Sequence, residues 1–235
     1  MNKFDSTDIK RTERIPKLID ALYAKMPEVE ADRAVLITES YMKTEDKPMV
    51  LRRALAFSHI LKNIPITIRD NELVVGSATK SPRSAQICPE FSVDWLEKEL
   101  DTTENREADK FHISEETKAD LRRIFPYWKG KTTSELATSY MADSAMLSFK
   151  HNMFTPGNYF YNGVGHFTVK YEDVLNLGFE KIIARLVSKR YELDVTDPEY
   201  SEKNAFYESA IISCKAVIDY AHRYSELAMK MAESC

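Results

Sequence analysis

The amino-acid sequence predicts a mainly α-helical protein with a few short strands. Most of the chain repeats apolar residues at intervals of three and four, which places them on one face of a helix. Glycine is scarce, with 6 residues in 235, so few positions interrupt a helix. We expect a helical region over residues 1–150, a loop with a short strand over 154–169, and long helices over 171–235.

Three amphipathic helices are predicted in the first part of the chain. Residues 11–26 form the first, with an apolar stripe of Ile15, Leu18, Ile19 and Leu22. Pro27 ends this helix, because proline lacks the N–H that a helix interior needs. Residues 31–42 form the second helix. Pro48 opens the third, whose inward face carries Leu51, Ala54, Leu55 and Leu61.

The apolar period changes near residues 64–76. Isoleucines alternate with other residues from Ile64 to Ile68, Asp70-Asn71 is a turn signal, and Leu73-Val74-Val75-Gly76 follows. Two short runs of strand-forming residues around a turn predict a hairpin here. Pro65 restricts its first strand to a sheet edge.

Capping residues mark helix starts in the middle of the chain. Ser92 and Ser114 each precede an apolar periodic segment and are expected to cap a helix. Thr132 and Glu135 have the spacing of a capping box, which predicts a helix from about residue 133 into the 140s. Further apolar stripes predict two long helices, over residues 174–186 and 201–234.

The densest polar and aromatic stretch is Gly157 to His166. Gly163 and Gly165 allow the backbone to approach another group closely or to take a positive φ. His166 follows them directly, and histidine is suited to proton transfer near neutral pH. The residues alone leave a second interpretation open, in which His166 is hydrogen-bonded within a packed turn.

Three other groups are weaker candidates for chemistry. Residues 69–72 form either a binding patch or, as we favour, a solvated turn with local ion pairs. The arginine of the rigid loop 81–84 can hold an anion, but a carboxylate elsewhere in the protein is the expected partner. Cys88 stands two residues before Glu90, and we interpret it as a small apolar residue rather than a reactive thiol.

Charge and composition exclude several classes of protein. Lys and Arg number 33 against 37 Asp and Glu, and they are dispersed, so no stripe for nucleic-acid phosphates is present. No apolar run is long enough to cross a bilayer, and the N-terminus lacks a signal-peptide pattern, which favours a cytoplasmic location. The 3 cysteines are widely spaced without a Cys-x-x-Cys motif, which argues against a disulfide framework and against a metal site.

Several segments resemble the N-terminal region of the glycyl radical enzymes, the pyruvate formate-lyase-like family. The matching segments are Arg33–Ser40, Arg52–Leu55, Ile66–Gly76, Pro82–Arg83 and Pro89–Phe91. Two further segments, Thr133–Met141 and Gly157–His166, are more similar to the B12-independent glycerol and propane-1,2-diol dehydratases. The resemblance extends from about residue 11 to the end of the chain.

This resemblance implies a fold and a chemistry. The family fold is an α/β barrel wrapped by helices, of which this chain would form the N-terminal portion. An activating enzyme with an iron–sulfur cluster and S-adenosylmethionine places a radical on a backbone glycine, which passes it to a cysteine. The thiyl takes a hydrogen atom from C1 of the diol, the C2 hydroxyl leaves as water, and an aldehyde results.

The resemblance also implies roles for two residues. His166 matches the histidine that protonates the departing hydroxyl, and Asn158 matches a residue at the wall of the same substrate pocket. The family's thiyl cysteine, in a Gly-Cys-x-Glu type motif, and its radical glycine have no counterpart here. Cys88-Pro89-Glu90 is similar to the first motif in composition only. We therefore expect residues 1–235 to bind no cofactor and to be inactive alone.

The implied partners follow from the same family. They are a small diol, the remainder of the enzyme chain, the activating enzyme and a second copy in a homodimer, in the cytoplasm or a bacterial microcompartment. Neither nucleic acid nor a membrane is an expected partner. Two alternatives stay open: a free-standing family fragment that acts as a binding or assembly module, and a formate-lyase, choline-lyase or hydroxyproline-dehydratase member of the family.

Overall fold

The computed structural model describes residues 13–154 and 168–234, which are mainly helical, as predicted. The helices are α1 (Arg14–Tyr23), α2 (Asp32–Lys43), α3 (Met49–Asn63), α4 (Asp94–Glu99), α5 (Glu115–Trp128), α6 (Thr133–Ser139), α7 (Asp143–Lys150), α8 (Tyr171–Tyr191) and α9 (Tyr200–Glu233). A single 3-10 turn among the described residues covers Thr103–Asn105. Two strands, β1 (Glu28–Glu30) and β2 (Ser84–Gln86), complete the described elements.

The two strands pair in parallel, with Val29 opposite Ala85. On the other side of β1, Val29 N donates to the carbonyl oxygen of His112 at 2.9 Å, and His112 N donates to that of Pro27 at 2.7 Å. Three chain segments therefore run side by side in the same direction. Each has at most three residues, which is too short to show the alternation from which a strand is predicted.

The predicted hairpin near residues 64–76 is wrong. The turn itself is present, since Asn71 has a φ of 67°. No strand is described on either side of it, because Pro65 lacks an N–H and the side chains of Leu73 and Val74 are 76% and 88% exposed rather than packed on a sheet. Arg69 organises the segment instead: its Nη2 donates to the carbonyl oxygen of Thr79 at 2.6 Å.

The core lies where α2, α3, α4 and α5 meet. Trp128 at the end of α5 is fully enclosed, and its Nε1 donates to Thr38 Oγ1 on α2 at 2.8 Å. The ring of Tyr127 stands edge-on to the Trp128 ring, with centroids 5.3 Å apart. The core also contains Ala34, Ile37, Ile60, Val93, Leu96, Leu100, Ile113, Leu121, Ile124 and Phe125. The inward face predicted for α3 is wrong for this core: α3 contributes Ala56 and Ile60, while Leu51, Leu55 and Leu61 are only half-buried and Ala54 is buried outside the cluster.

Two of the three predicted caps are confirmed. Ser114 Oγ accepts a hydrogen bond from Thr117 N at 3.1 Å and caps α5. Thr132 and Glu135 form the predicted capping box at the start of α6, although this helix ends at Ser139 and a separate helix, α7, follows. Ser92 is not a cap: Val93 occupies the N-cap position of α4 and provides no side-chain bond.

The long helices of the last part of the chain are confirmed. α8 is interrupted at Gly178, whose φ of 71° and ψ of 160° are non-helical. α9 has 34 residues and packs against α3 and α8. Arg223 on α9 donates from Nη2 to the carbonyl oxygen of Ile64 at 2.7 Å, which satisfies a carbonyl just past the end of α3.

Candidate functional site

The two residues predicted for the functional site, Asn158 and His166, lie outside the described residues. The structure describes the chain on both sides of them. On the N-terminal side, α7 ends at Lys150, and the rings of Phe149 and Phe154 lie 6.2 Å apart. On the C-terminal side, Lys170 precedes α8. Thr168 and Val169, at the end of the predicted loop and short strand over 154–169, belong to no strand.

Apolar side chains are exposed on both of these flanks. Met153, beyond α7, is 76% exposed, and Leu175, on α8, is 82% exposed. Leu147, Phe154 and Tyr171 are exposed as well. Burying a side chain of this size stabilises a protein by about 1.5–3 kcal/mol. Each of these exposed side chains therefore leaves that stabilisation unused. The chain therefore presents uncovered apolar surface beside the stretch predicted to carry chemistry.

A buried carboxylate fixes the loop that leads into β2. Glu30 is 8% exposed, and its two carboxylate oxygens accept hydrogen bonds from Lys80 N at 3.0 Å and from Ser81 N at 3.1 Å. Gln86 Nε2 donates to Glu30 Oε2 at 3.1 Å. These donors compensate the cost of burying the charge. Sequence patterns did not predict this arrangement, because the backbone donors Lys80 and Ser81 lie 50 and 51 residues from Glu30 in the chain.

Arg33 and Glu90 form a bidentate ion pair across α2 and the segment after β2. Arg33 Nη1 donates to Glu90 Oε2 at 3.1 Å. Arg33 Nη2 donates to the other carboxylate oxygen, Glu90 Oε1. Burial pulls the pKa of Arg33 down, but the hydrogen bond and charge of Glu90 outweigh it, and the net pKa is raised. The guanidinium is thus permanently charged and rigidly held.

Cys88 lies beside this ion pair and is not a reactive thiolate. Burial raises the pKa of its thiol, and the positive charge of Arg33 only partly opposes that effect. A protonated thiol is neither a nucleophile nor a good metal ligand. The interpretation of Cys88 as an unreactive side chain agrees with this environment, although the residue is half-buried rather than fully enclosed.

Comparison with known proteins identifies the family. A sequence model described as pyruvate formate lyase-like matches residues 7–235. The chain belongs to the pyruvate formate lyase-like family. The described fold also aligns with the N-terminal part of solved glycyl radical enzyme structures, including one from Archaeoglobus fulgidus at 36% identity and a TM-score of 0.86.

Two solved structures within this pyruvate formate lyase-like group are especially similar. One concerns 1,2-propanediol dehydration in Roseburia inulinivorans and is 56% identical over 99% of this chain, with a TM-score of 0.93. The other is the glycerol-bound form of the B12-independent glycerol dehydratase from Clostridium butyricum, 50% identical over 96% of this chain, with a TM-score of 0.92. The (2S)-3-sulfopropanediol dehydratase of Klebsiella oxytoca is 32% identical over 94% of this chain. The chain spans only 28%, 29% and 27% of these three relatives.

The segments that resemble the pyruvate formate lyase-like family meet in space. Arg33 in the first segment pairs with Glu90 in the last. Arg52 in the second donates from Nη2 to the carbonyl oxygen of Tyr41 at 3.0 Å. Thr133, which opens the dehydratase-like segment, donates from its N–H to the carbonyl oxygen of Glu90 at 3.0 Å. Arg33, Glu90 and Thr133 thus belong to one packed unit, from which α6 and α7 lead to Phe154.

The weaker candidates have structural roles. Arg69 pairs with Glu72 over 2.9 Å, which confirms the local ion pair predicted for residues 69–72. His59 on α3 is half-buried, and its Nε2 is 3.0 Å from Glu39 Oε2. Over residues 13–154 and 168–234, no group of three potential metal-ligating side chains is present. No helix in those same ranges is long and apolar enough to cross a membrane.

Proposed function

We propose that this chain is the N-terminal segment of a glycyl radical diol dehydratase, which converts propane-1,2-diol or glycerol to an aldehyde and water. The observation that carries the proposal is the agreement with the propanediol and glycerol dehydratase structures at 56% and 50% identity. The hydroxyproline dehydratase from Clostridioides difficile has the same fold but only 29% identity. Because the sequence identity to the two diol enzymes is much higher than to the hydroxyproline enzyme, we favour the diol reaction over other reactions of the family.

The proposed reaction needs a proton at one step. A cysteine thiyl takes a hydrogen atom from C1, which leaves a carbon radical next to the C2–OH bond. That bond then breaks, the oxygen leaves with the bonding electron pair, and a proton is needed to release it as water rather than hydroxide. The C1 hydroxyl gives up its proton as the carbonyl forms, and the C2 radical recovers a hydrogen atom from the cysteine.

Within this chain we assign the proton donor to His166 and a place at the substrate pocket wall to Asn158. Imidazolium delivers a proton at near-neutral pH, and an amide can hold a diol hydroxyl by hydrogen bonds. None of the 3 cysteines follows a glycine, so the thiyl residue would come from the remainder of the enzyme. In this proposal an S-adenosylmethionine and iron–sulfur activating enzyme installs the radical without B12, and the full-length protein is a homodimer in the cytoplasm or a microcompartment.

The exposed apolar flanks of the 155–167 stretch support a role as one part of a larger enzyme. Leu147 and Leu175 lie on the two helices that border this stretch, and both are exposed. In the proposed full-length enzyme, the remainder of the barrel covers them and brings its cysteine to the same site. A free-standing binding module would instead bury this surface against another protein.

Comparing the activity of the full-length protein with that of the 235-residue chain tests the proposed arrangement. Incubated anaerobically with an activating enzyme, S-adenosylmethionine and propane-1,2-diol, the chain alone is expected to give neither a glycyl radical signal in electron paramagnetic resonance nor an aldehyde. The reason is that, in this proposal, the thiyl cysteine and the radical glycine belong to the rest of the enzyme. The full-length protein under identical conditions is the positive control, and any aldehyde formed by the short chain contradicts the proposal.

A further inference from the structure

A cavity of about 780 Å³ lies at the edge where the three parallel segments begin. Residues 23–27 line it just before β1, residues 82–85 at the start of β2, and residues 109–111 just before His112. Each of these three chain segments contributes one cation to the cavity: Lys25, Arg83 and Lys110. Three positive charges from distant parts of the sequence therefore converge because the segments are parallel and start at the same edge.

The cations around this cavity have unused binding capacity. Arg83 Nη1 makes a long hydrogen bond of 3.4 Å to the carbonyl oxygen of Lys25, and the guanidinium lies 5.3 Å from the centre of the Tyr23 ring. Within the described ranges, none of the three cations forms an ion pair with a carboxylate. The carboxylate partner expected for Arg83 is thus missing from the part of the chain that the structure describes.

A second observation comes from Ser84 on the cavity wall. Its Oγ is buried and has no hydrogen-bond partner in the structure. A buried hydroxyl without a partner destabilises the structure unless a ligand or water satisfies it. Ser84 lines the cavity, and its hydroxyl can donate to an oxygen of a bound anion once the side chain rotates toward it.

The rest of the cavity lining holds one carboxylate, Asp109, together with apolar side chains, so the three cations outnumber the acidic group. Tyr23, Pro27, Pro82 and Phe111 line the cavity beside the cations. A separate cavity beside the same strands is lined by five acidic residues against one lysine, Lys80; the acidic residues are Glu28, Glu30, Asp32, Glu116 and Asp120. An anion is therefore attracted to the first cavity and repelled by the second, and its apolar part would pack on the rings and prolines.

We propose that this basic cavity binds a small oxoanion, a phosphate or a carboxylate, attached to a flat apolar group. Arg83 holds the anion through its free N–H groups. The rotated hydroxyl of Ser84 donates to an oxygen of the same anion, and Lys25 and Lys110 add positive charge. Tyr23 and Phe111 pack on the apolar part. None of the lining residues belongs to α7 or α8, so this site is separate from the flanks of the diol site and does not depend on the proposed reaction.

Isothermal titration calorimetry tests the site with phenyl phosphate, benzoate and inorganic phosphate at low ionic strength. The full-length protein carrying this segment is used, so that all neighbouring surfaces are present. We expect phenyl phosphate or benzoate to bind, and the tighter of the two identifies the oxoanion. Inorganic phosphate should bind about tenfold more weakly than phenyl phosphate because it cannot use the apolar wall.

Variants connect this binding to the cavity. Arg83→Gln should weaken binding of the aryl anion by about tenfold or more, because a charge-assisted hydrogen bond is lost. Lys215→Gln, which removes an exposed lysine of α9 that lines none of the described cavities, should leave it unchanged, and circular dichroism checks that both variants fold. Absence of binding by both aryl anions at roughly 10 mM, or equal affinity in wild type and Arg83→Gln, overturns the proposal.

Discussion

Replacing His166 with alanine in the full-length protein is expected to lower turnover of propane-1,2-diol by about three orders of magnitude. The substitution removes the proton donor, so the C2–O bond must break with hydroxide as leaving group, and general acid catalysis of such a step contributes about 10²–10⁴ in rate. Radical installation does not involve this proton. The electron paramagnetic resonance signal of the activated variant should therefore equal that of the wild type while aldehyde formation falls.

A second histidine provides a matched control for this experiment. His151 follows α7, only a few residues before the 155–167 stretch, and is exposed. His151→Ala should retain wild-type turnover. Wild-type turnover in His166→Ala would remove His166 from the mechanism, whereas loss of the radical signal in that variant would assign it to activation or folding instead.

The Trp128→Ala substitution is expected to destabilise the protein by about 3–5 kcal/mol, as is typical when a large core aromatic is truncated. Trp128 is only 2% exposed, and its ring lies 5.3 Å from that of Tyr41. The substitution leaves a cavity between α2 and α5 and removes the hydrogen bond to Thr38 Oγ1. Urea unfolding followed by far-ultraviolet circular dichroism measures the change in free energy.

The chain's other tryptophan is the control for this stability prediction. Trp95 on α4 is 39% exposed, and the guanidinium of Arg106 lies 5.9 Å from the centre of its ring. An exposed cation–π contact of this kind contributes about 0.5–1 kcal/mol, so Trp95→Ala should cost far less than Trp128→Ala. Equal losses in the two variants would show that the core is not centred on Trp128.

Local sequence patterns predicted most helices and failed where long-range pairing decides the structure. The stripe in residues 11–26 and the box at Thr132 predict their helices because helix contacts lie three and four residues apart. β1 and β2 join residues more than 50 positions apart, such as Glu28 and Ser84, and three residues carry no period. Residues 73–75 have strand-forming side chains but no partner strand in the described part of the chain.

The candidate site was predictable by resemblance rather than by local chemistry. Asn158 and His166 were named from a segment similar to the diol dehydratases, and their roles stay predictions. The ion pair of Arg33 with Glu90 was not foreseen, although both residues stand in segments that resemble the family. A single sequence contains no signal that joins two positions 57 residues apart.

The central claim is that the full-length protein dehydrates a diol by glycyl radical chemistry. The most direct test is to activate it anaerobically without B12, supply propane-1,2-diol, and measure propanal by gas chromatography. We predict propanal in large molar excess over the enzyme, formed only when the activating enzyme and S-adenosylmethionine are present. A strong glycyl radical signal without propanal from the diol or an aldehyde from glycerol, together with turnover of choline or hydroxyproline, would contradict this account.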